Sequence, residues 1–217
     1  MPSPKIENLV PDIEKVLLDG SGKIHDLLKD DLPQLEKILS YRLSPEARAE
    51  SGPGLRMSNL GTKCLRKLWY NVNTPEKAEP LEAHTRLKFL YGDILEWLVL
   101  LLAKLAGHEV KGQQDTLKIG TVEGHRDAII DGNLVDVKTA SKYGFQKFKN
   151  NSVPKDDAFG YMDQIGAYHY ASLDELDNKE TASFLAIEKE SGHIVLDTYR
   201  MDTTRDFDTE VALKQAV

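Results

Sequence analysis

The chain has 217 residues, one cysteine and a formal net charge of −7, with 28 Lys and Arg against 35 Asp and Glu. Its length and 41% hydrophobic content predict a folded chain with its own core and exclude full disorder. A single cysteine excludes an intramolecular disulfide framework and any zinc or iron–sulfur site that needs several cysteines. With no apolar run long enough for a bilayer and no secretory pattern at the N-terminus, we expect a cytoplasmic protein without a membrane partner.

Helical periodicity dominates the first half of the chain. Apolar residues recur at three- and four-residue steps through the first fifty residues, with a break at residues 20–22. The Ser-Gly-Pro-Gly run at residues 51–54 then predicts a boundary. We therefore expect a helical N-terminal extension over residues 1–51 and a main domain over residues 52–217. In that domain, Ser58 is predicted to cap a short helix that runs through Tyr70, and a long buried helix is predicted over residues 81–106.

The second half of the chain changes to strand periodicity. A tight hairpin turn is predicted at residues 131–133, where Asp-Gly-Asn separates two apolar runs. A second turn is expected at residues 190–192. The predicted strands cover residues 108–119, 122–130, 134–139, 181–188 and 192–201, with helices over 157–172 and from 203 onward. This order predicts an α/β (α+β) fold with a central mixed sheet flanked by helices.

The predicted hairpin brings acidic side chains together. Its turn sets Asp127 alongside Asp136, and Lys138 shares a strand face with Asp136. Two adjacent carboxylates repel unless a cation sits between them, and oxygen ligands favour Mg²⁺ or Mn²⁺ over zinc. A nearby lysine can orient water or stabilise a phosphate. Acidic metal ligands together with such a lysine are the groups that metal-assisted phosphodiester hydrolysis uses. A surface salt-bridge cluster is the alternative at this point.

Two helices add polar residues in unexpected places. Glu96 lies among apolar residues of the long helix, so it either reaches the helix edge or ligates something. Gln164 and Tyr168 are spaced four residues apart and therefore share one face of the helix over residues 157–172. That face either borders a site or points to solvent.

Positive charge is concentrated in two stretches that contain no acid. Residues 51–75 carry four basic residues, and residues 137–155 carry five lysines. Such stretches form either an anion-binding face or two solvated loops, and charge alone does not decide between them.

The ordered motifs resemble the PD-(D/E)XK nuclease superfamily. The patterns Gly-x-x-x-Glu, Gly-x-x-Asp, Asp-x-Lys and Gln-x-x-x-Tyr follow one another from Gly92 to Tyr168. The branch they resemble is that of the RecB-like and phage-type exonucleases, which includes lambda exonuclease and the CRISPR-associated nuclease group. The segment from Ser58 to Tyr70 is similar to the one that opens many RecB-like domains. The resemblance implies a restriction-endonuclease-like core.

The resemblance also implies a role for each motif residue. Lys138 would position the attacking water and stabilise the phosphate, while Gln164 and Tyr168 would steady that lysine or contact the DNA backbone. Arg66 is the candidate for gripping a phosphate. The implied ligands of Mg²⁺ or Mn²⁺ are Glu96, Asp127, Asp136 and the backbone carbonyl of Val137. The expected DNA-binding cations are Lys63, Arg66, Lys142 and Lys147.

Some members of the branch hold an iron–sulfur cluster, which this chain cannot build. A cysteine at the place of Cys64 joins three others in those members, and this sequence has no other cysteine. We therefore expect no cluster and a buried, apolar role for Cys64.

The leading hypothesis is a metal-dependent DNA exonuclease acting on linear duplex or single-stranded ends, because the Gln-x-x-x-Tyr pattern is associated with exonuclease branches. The resemblance implies a role in DNA recombination, repair or degradation in a bacterial or phage-infected cell, and some relatives are homo-oligomers. A structure- or site-specific endonuclease such as a junction resolvase is the first alternative. A non-catalytic DNA-binding module is the second.

Overall fold

The computed structural model describes residues 4–44, 54–77 and 79–216. The predicted domain limits at residues 51 and 52 therefore lie outside the described residues. None of the helices within these ranges combines the length and apolarity that crossing a membrane requires. The α-helices are α1 (Leu9–Asp19), α2 (Ile24–Leu43), α3 (Leu65–Asn73), α4 (Ala83–Leu105), α5 (Lys142–Lys149), α6 (Tyr161–Ser172) and α7 (Phe207–Gln215). The two N-terminal helices and the long α4 confirm the helical interpretation of this half of the chain.

Two expectations about the segment before α4 are wrong. The helix begins at Leu65 rather than at Ser58, because Met57–Asn59 forms a separate 3₁₀ turn. In that turn the Asn59 side chain accepts a hydrogen bond of 2.8 Å from the Arg56 N–H, which closes the turn locally. Cys64, expected to be buried, is exposed just before α3.

The strands form a mixed five-stranded central sheet and a separate two-stranded sheet. The central order is β1-β4-β5-β6-β7, in which β5 and β6 are parallel and the other neighbours antiparallel. Strands β2 and β3 pair with each other to form the smaller sheet. The bounds are β1 (Val110–Lys111), β2 (Thr116–Ile119), β3 (Val122–His125), β4 (Ala128–Ile130), β5 (Asn133–Ala140), β6 (Thr181–Glu188) and β7 (Ile194–Arg200). The predicted central mixed sheet flanked by helices is confirmed.

The predicted hairpin turn is present, but two predicted strands are each divided. Asp131 and Gly132 both have positive φ, as the tight turn between β4 and β5 requires. The runs 108–119 and 122–130 break at residues 112–115 and 126–127, where the chain leaves the central sheet to form the smaller one. The break occurs because residues 112–115 wrap around the guanidinium of the buried Arg126.

Each face of the central sheet carries its own apolar cluster. On one face α1 and α4 pack on the sheet, and Leu9 and Ile13 of α1 are fully buried there. The opposite face is covered by α5 and α6, with the two-stranded sheet beside them. Alternation along β5 sends Val135 and Val137 to the first cluster and leaves Asp136 and Lys138 for the second face. The N-terminal helix α1 therefore belongs to the same core as the sheet that carries the candidate site.

Candidate active site

The β4–β5 hairpin sets the two predicted acidic ligands side by side. Asp127 directly precedes β4. In the antiparallel pairing of β4 with β5, Ala128 lies opposite Val135, so the same register places Asp127 opposite Asp136. Asp127 Oδ2 accepts a hydrogen bond of 2.7 Å from the backbone N–H of Val137. Asp136 is almost fully buried. The arrangement follows from a two-residue turn, which fixes the register of both strands.

Lys138 is surrounded by groups that keep it charged. Its Nζ lies 2.5 Å from Asp136 Oδ2, donates to Gln164 Oε1 at 3.3 Å and stands 5.1 Å from the centre of the Tyr161 ring. Burial alone lowers the pKa of this ammonium, but the charges of Asp136 and Asp127 outweigh burial and raise the pKa above its ordinary value. Lys138 therefore acts as a fixed cation and hydrogen-bond donor, since it cannot serve as a base near neutral pH.

Glu96 of α4 belongs to the same electrostatic neighbourhood. Its Oε1 accepts a hydrogen bond of 2.6 Å from Gln114 Nε2. Burial, followed by the negative charges of Asp93 and Asp136, raises the pKa of Glu96 to about 7. Near neutral pH the metal-free carboxyl group is therefore only partly ionised. Glu96 is half-buried, and its carboxyl group is held by Gln114.

The remaining motif residues meet the same charges. Burial first, and then the charges of Glu96 and Asp136, raise the pKa of Asp127 well above its usual range. Tyr168 is buried and hydrogen-bonded to Gln164, and burial together with Asp136 and Asp127 raises its pKa to about 12. The face of α6 that carries Gln164 and Tyr168 therefore borders the acidic cluster and does not point to solvent.

The donor set suits a hard divalent cation in its chemistry. When all three carboxyl groups are ionised, their negative charge exceeds the positive charge of Lys138, and Mg²⁺ or Mn²⁺ would neutralise the excess through oxygen ligands. Across residues 4–44, 54–77 and 79–216, no three His, Cys, Asp or Glu side chains are already drawn together as a ligand set. Asp127 and Glu96 instead each accept a protein hydrogen bond, from Val137 and Gln114. Holding a cation thus requires these carboxylates to turn toward one another.

Arg126 supports the site in a way that sequence reasoning missed. This arginine is only 1% exposed, one residue before Asp127. Its guanidinium donates hydrogen bonds to Asp115, to Glu175, to the Gly112 carbonyl oxygen and to the Ser172 hydroxyl, over 2.5–3.3 Å. A basic residue at an inward position of an apolar strand was the available signal, but strand alternation alone does not distinguish it from a surface arginine.

The loop around Arg126 also delivers Gln114, the second residue that was missed. The Gln114 N–H donates to the Arg126 carbonyl oxygen at 2.9 Å, and the Arg126 N–H donates to the Asp115 carbonyl oxygen at 3.2 Å. These bonds hold Gln114 with a φ of 58°, in which its side chain reaches Glu96. Nothing in the sequence marks Gln114, because the contact depends on a loop that closes through tertiary structure.

The predicted DNA-binding lysines and arginine differ in whether they form ion pairs. Lys63, Arg66 and Lys142 are exposed, and none forms an ion pair with Glu96 or another site carboxylate. Lys147 is already paired, with its Nζ 2.5 Å from a carboxylate oxygen of Asp156. Lys147 and, more weakly, Lys63 lower the pKa of Asp156, so the structure brings these two lysines to a shared acid.

Comparisons with known proteins do not identify the chain. No family model matches it, and no curated protein does. A solved structure described as "Crystal structure of SSO0001" has 18% sequence identity and a TM-score of 0.48, covering 83% of this chain and 83% of that one. The functional conclusion therefore depends on the residues of this chain.

Proposed function

We propose that this chain is a divalent-metal-dependent deoxyribonuclease of the PD-(D/E)XK type, with a restriction-endonuclease-like core, that hydrolyses phosphodiester bonds from DNA ends. The observation that carries the proposal is that Glu96, Asp127 and Asp136 interact electrostatically with one another and with the protonated Lys138. Acids that raise one another's pKa cost stability, and such clusters are typical of functional sites. Action in phage or bacterial DNA recombination, repair or degradation belongs to the same proposal.

The chemistry divides between the cation and the protein. When bound, Mg²⁺ or Mn²⁺ supplies Lewis-acid polarisation of the phosphate and a lowered pKa for the attacking water. Lys138 donates a hydrogen bond to the phosphate or to that water and balances negative charge as it builds up. Gln164 accepts a hydrogen bond from Lys138 Nζ and so restricts where the ammonium group points. Tyr168, which is hydrogen-bonded to Gln164, stays a neutral phenol. The residues that would hold the cation are Glu96, Asp127, Asp136 and the Val137 carbonyl.

Attack at ends rather than within a strand is supported by the polar face of α6. Gln164 and Tyr168 both reach the acidic cluster, as the Gln-x-x-x-Tyr resemblance implies for exonucleases. The exposed cations Lys63, Arg66 and Lys142 would contribute contacts to the DNA backbone, so binding should weaken steeply as salt is raised.

The test compares linear and closed-circular duplex DNA of one sequence, with a linear single strand as a third substrate. Each is incubated with Mg²⁺, Mn²⁺ or EDTA. Lys138→Ala removes the positively charged side chain. Lys138→Arg keeps a positive charge, so that Asp136 remains paired and the protein stays folded. Lys29→Ala, an exposed lysine of α2, is the matched control.

We expect metal-dependent loss of linear DNA only, abolished in Lys138→Ala, strongly reduced in Lys138→Arg and unchanged in Lys29→Ala. Nicking of the circle that depends on Lys138 would replace the exonuclease with an endonuclease acting through the same site. Binding without cleavage of any of the three substrates, with either metal, would reject the enzyme and favour a non-catalytic DNA-binding module.

A further inference from the structure

The two most exposed aromatic rings in the described part of the chain belong to Tyr143 and Phe159. Tyr143 is 77% exposed and Phe159 is 73% exposed, whereas the other exposed aromatic side chains are at most 46% exposed. Isolated exposed apolar residues are common, but Tyr143 lies within the basic stretch of residues 137–155 and Phe159 follows it closely. Lys147 Nζ lies 5.8 Å from the centre of the Tyr143 ring.

Phe159 is connected to Lys138 through one further ring. The Phe159 and Tyr161 rings are stacked, with centroids 5.4 Å apart and an interplanar angle of 23°. Tyr161 also contacts the rings of Phe148 and Phe184, and Lys138 Nζ lies 5.1 Å from its ring centre. Tyr161 therefore links the exposed Phe159 ring to the ammonium group of Lys138. A base lying on Phe159 would therefore belong to a nucleotide close to the phosphate at Lys138.

The exposed Phe159 ring is held in place by the backbone around it. Asp157 accepts hydrogen bonds of 2.8 Å from the N–H groups of Tyr161 and Met162, which fixes the start of α6. Gly160 has a φ of 73° and packs directly on Gly61, so that a Cβ atom on Gly160 would lie 2.4 Å from the Gly61 Cα. The ring is therefore open to solvent while its attachment is fixed, as a stacking surface requires.

We infer that Phe159 is a stacking platform for an unpaired base at the end of a DNA strand. The inference rests on the proposed function and names its substrate as an end with unpaired nucleotides. Aromatic rings bind bases of any sequence by stacking, and nearby lysines hold the phosphates. Within an intact duplex the faces of a base are covered by its neighbours, so internal base pairs cannot use the ring. Phe159 thus favours a single-stranded end over a blunt one.

The experiment measures binding in EDTA, where cleavage does not interfere. The probes are a short single strand with 2-aminopurine as its terminal base and a blunt hairpin duplex of equal length. Phe159→Ala removes the ring, Phe159→Leu keeps apolar bulk without an aromatic face, and Phe159→Trp restores one. Leu18→Ala changes an exposed apolar residue of α1 and serves as the control.

We expect the wild-type protein to quench the terminal 2-aminopurine. Phe159→Ala and Phe159→Leu should lose that quenching and weaken single-strand binding roughly five- to hundredfold. Phe159→Trp and Leu18→Ala should match the wild type, and all variants should bind the blunt hairpin within twofold of it. Equal single-strand binding by Phe159→Ala would overturn the platform.

The platform and the proposed nuclease can fail separately. If binding depends on Phe159 but neither probe is cut when Mg²⁺ or Mn²⁺ is added, the platform stands and the nuclease is rejected. If DNA is cut while Phe159→Ala binds the single strand normally, the nuclease stands and the platform is rejected. A wild-type protein that binds neither probe in EDTA, and cuts neither when Mg²⁺ or Mn²⁺ is added, would reject both.

Discussion

Replacing Glu96 with glutamine should stabilise the metal-free protein while it impairs the site. The pKa of Glu96 is raised to about 7 from an ordinary value of 4.5. Because the folded protein holds this proton more tightly than the unfolded chain does, the destabilisation is absent below about pH 4.5 and grows until about pH 7. One pKa unit corresponds to about 1.4 kcal/mol, so keeping Glu96 ionised at pH 8 costs about 3 kcal/mol.

The substitution Glu96→Gln removes that charge and keeps the local hydrogen bond, since the amide oxygen of the variant still accepts from Gln114. In EDTA at pH 8 we expect the variant to be more stable by about 3 kcal/mol, which raises Tm by about 6–12 °C for a chain of this size. The gain should vanish near pH 4.5. Added Mg²⁺ should stabilise the wild type more than the variant, because ligand binding to the native state adds to stability.

Thermal unfolding at pH 4.5 and pH 8, with EDTA and with Mg²⁺, measures all of these effects. Glu14→Gln, which changes an exposed glutamate of α1, should leave Tm unchanged at both pH values. A Glu96→Gln variant no more stable than the wild type at pH 8 would refute the reasoning. A gain that persists undiminished at pH 4.5 would attribute the effect to packing rather than to charge.

Three further substitutions test the support of the site by thermal or urea unfolding. Gly124→Ala should lower the free energy of unfolding by about 1–3 kcal/mol and reduce activity, because the added Cβ would lie 2.7 Å from Met57 Cβ and 2.8 Å from Tyr168 Cε1. Normal stability of this variant would contradict the packing. Arg126→Met should lower the free energy of unfolding by about 2–3 kcal/mol, because the charged hydrogen bonds of the guanidinium are lost. Unchanged stability would mean that the loop of residues 112–115 keeps its conformation without Arg126. Ile13→Ala should cost about 2–5 kcal/mol, whereas exposed positions on the same helix should change stability by less than about 0.5 kcal/mol.

The sequence was sufficient to predict the hairpin because the information is local. A two-residue turn and strand alternation together determine that Asp127 faces Asp136 and that Lys138 shares the face of Asp136. The division of strands around Arg126 was not predictable, because alternation cannot distinguish a buried guanidinium from a solvated one. Gln114 was hidden for a related reason: its contact with Glu96 exists only after the loop has closed around Arg126.

The helices predicted as an N-terminal extension also influence the charge at the candidate site. Arg42 of α2 pairs with Asp93 of α4 through two hydrogen bonds, of 2.5 and 3.0 Å. Asp93 lies three residues before Glu96, and its negative charge is one of the causes that raise the pKa of Glu96. Arg42 partly balances that charge, so removing the guanidinium would make ionised Glu96 more costly still. The acidity of a predicted metal ligand is therefore set in part by a helix that no site motif includes.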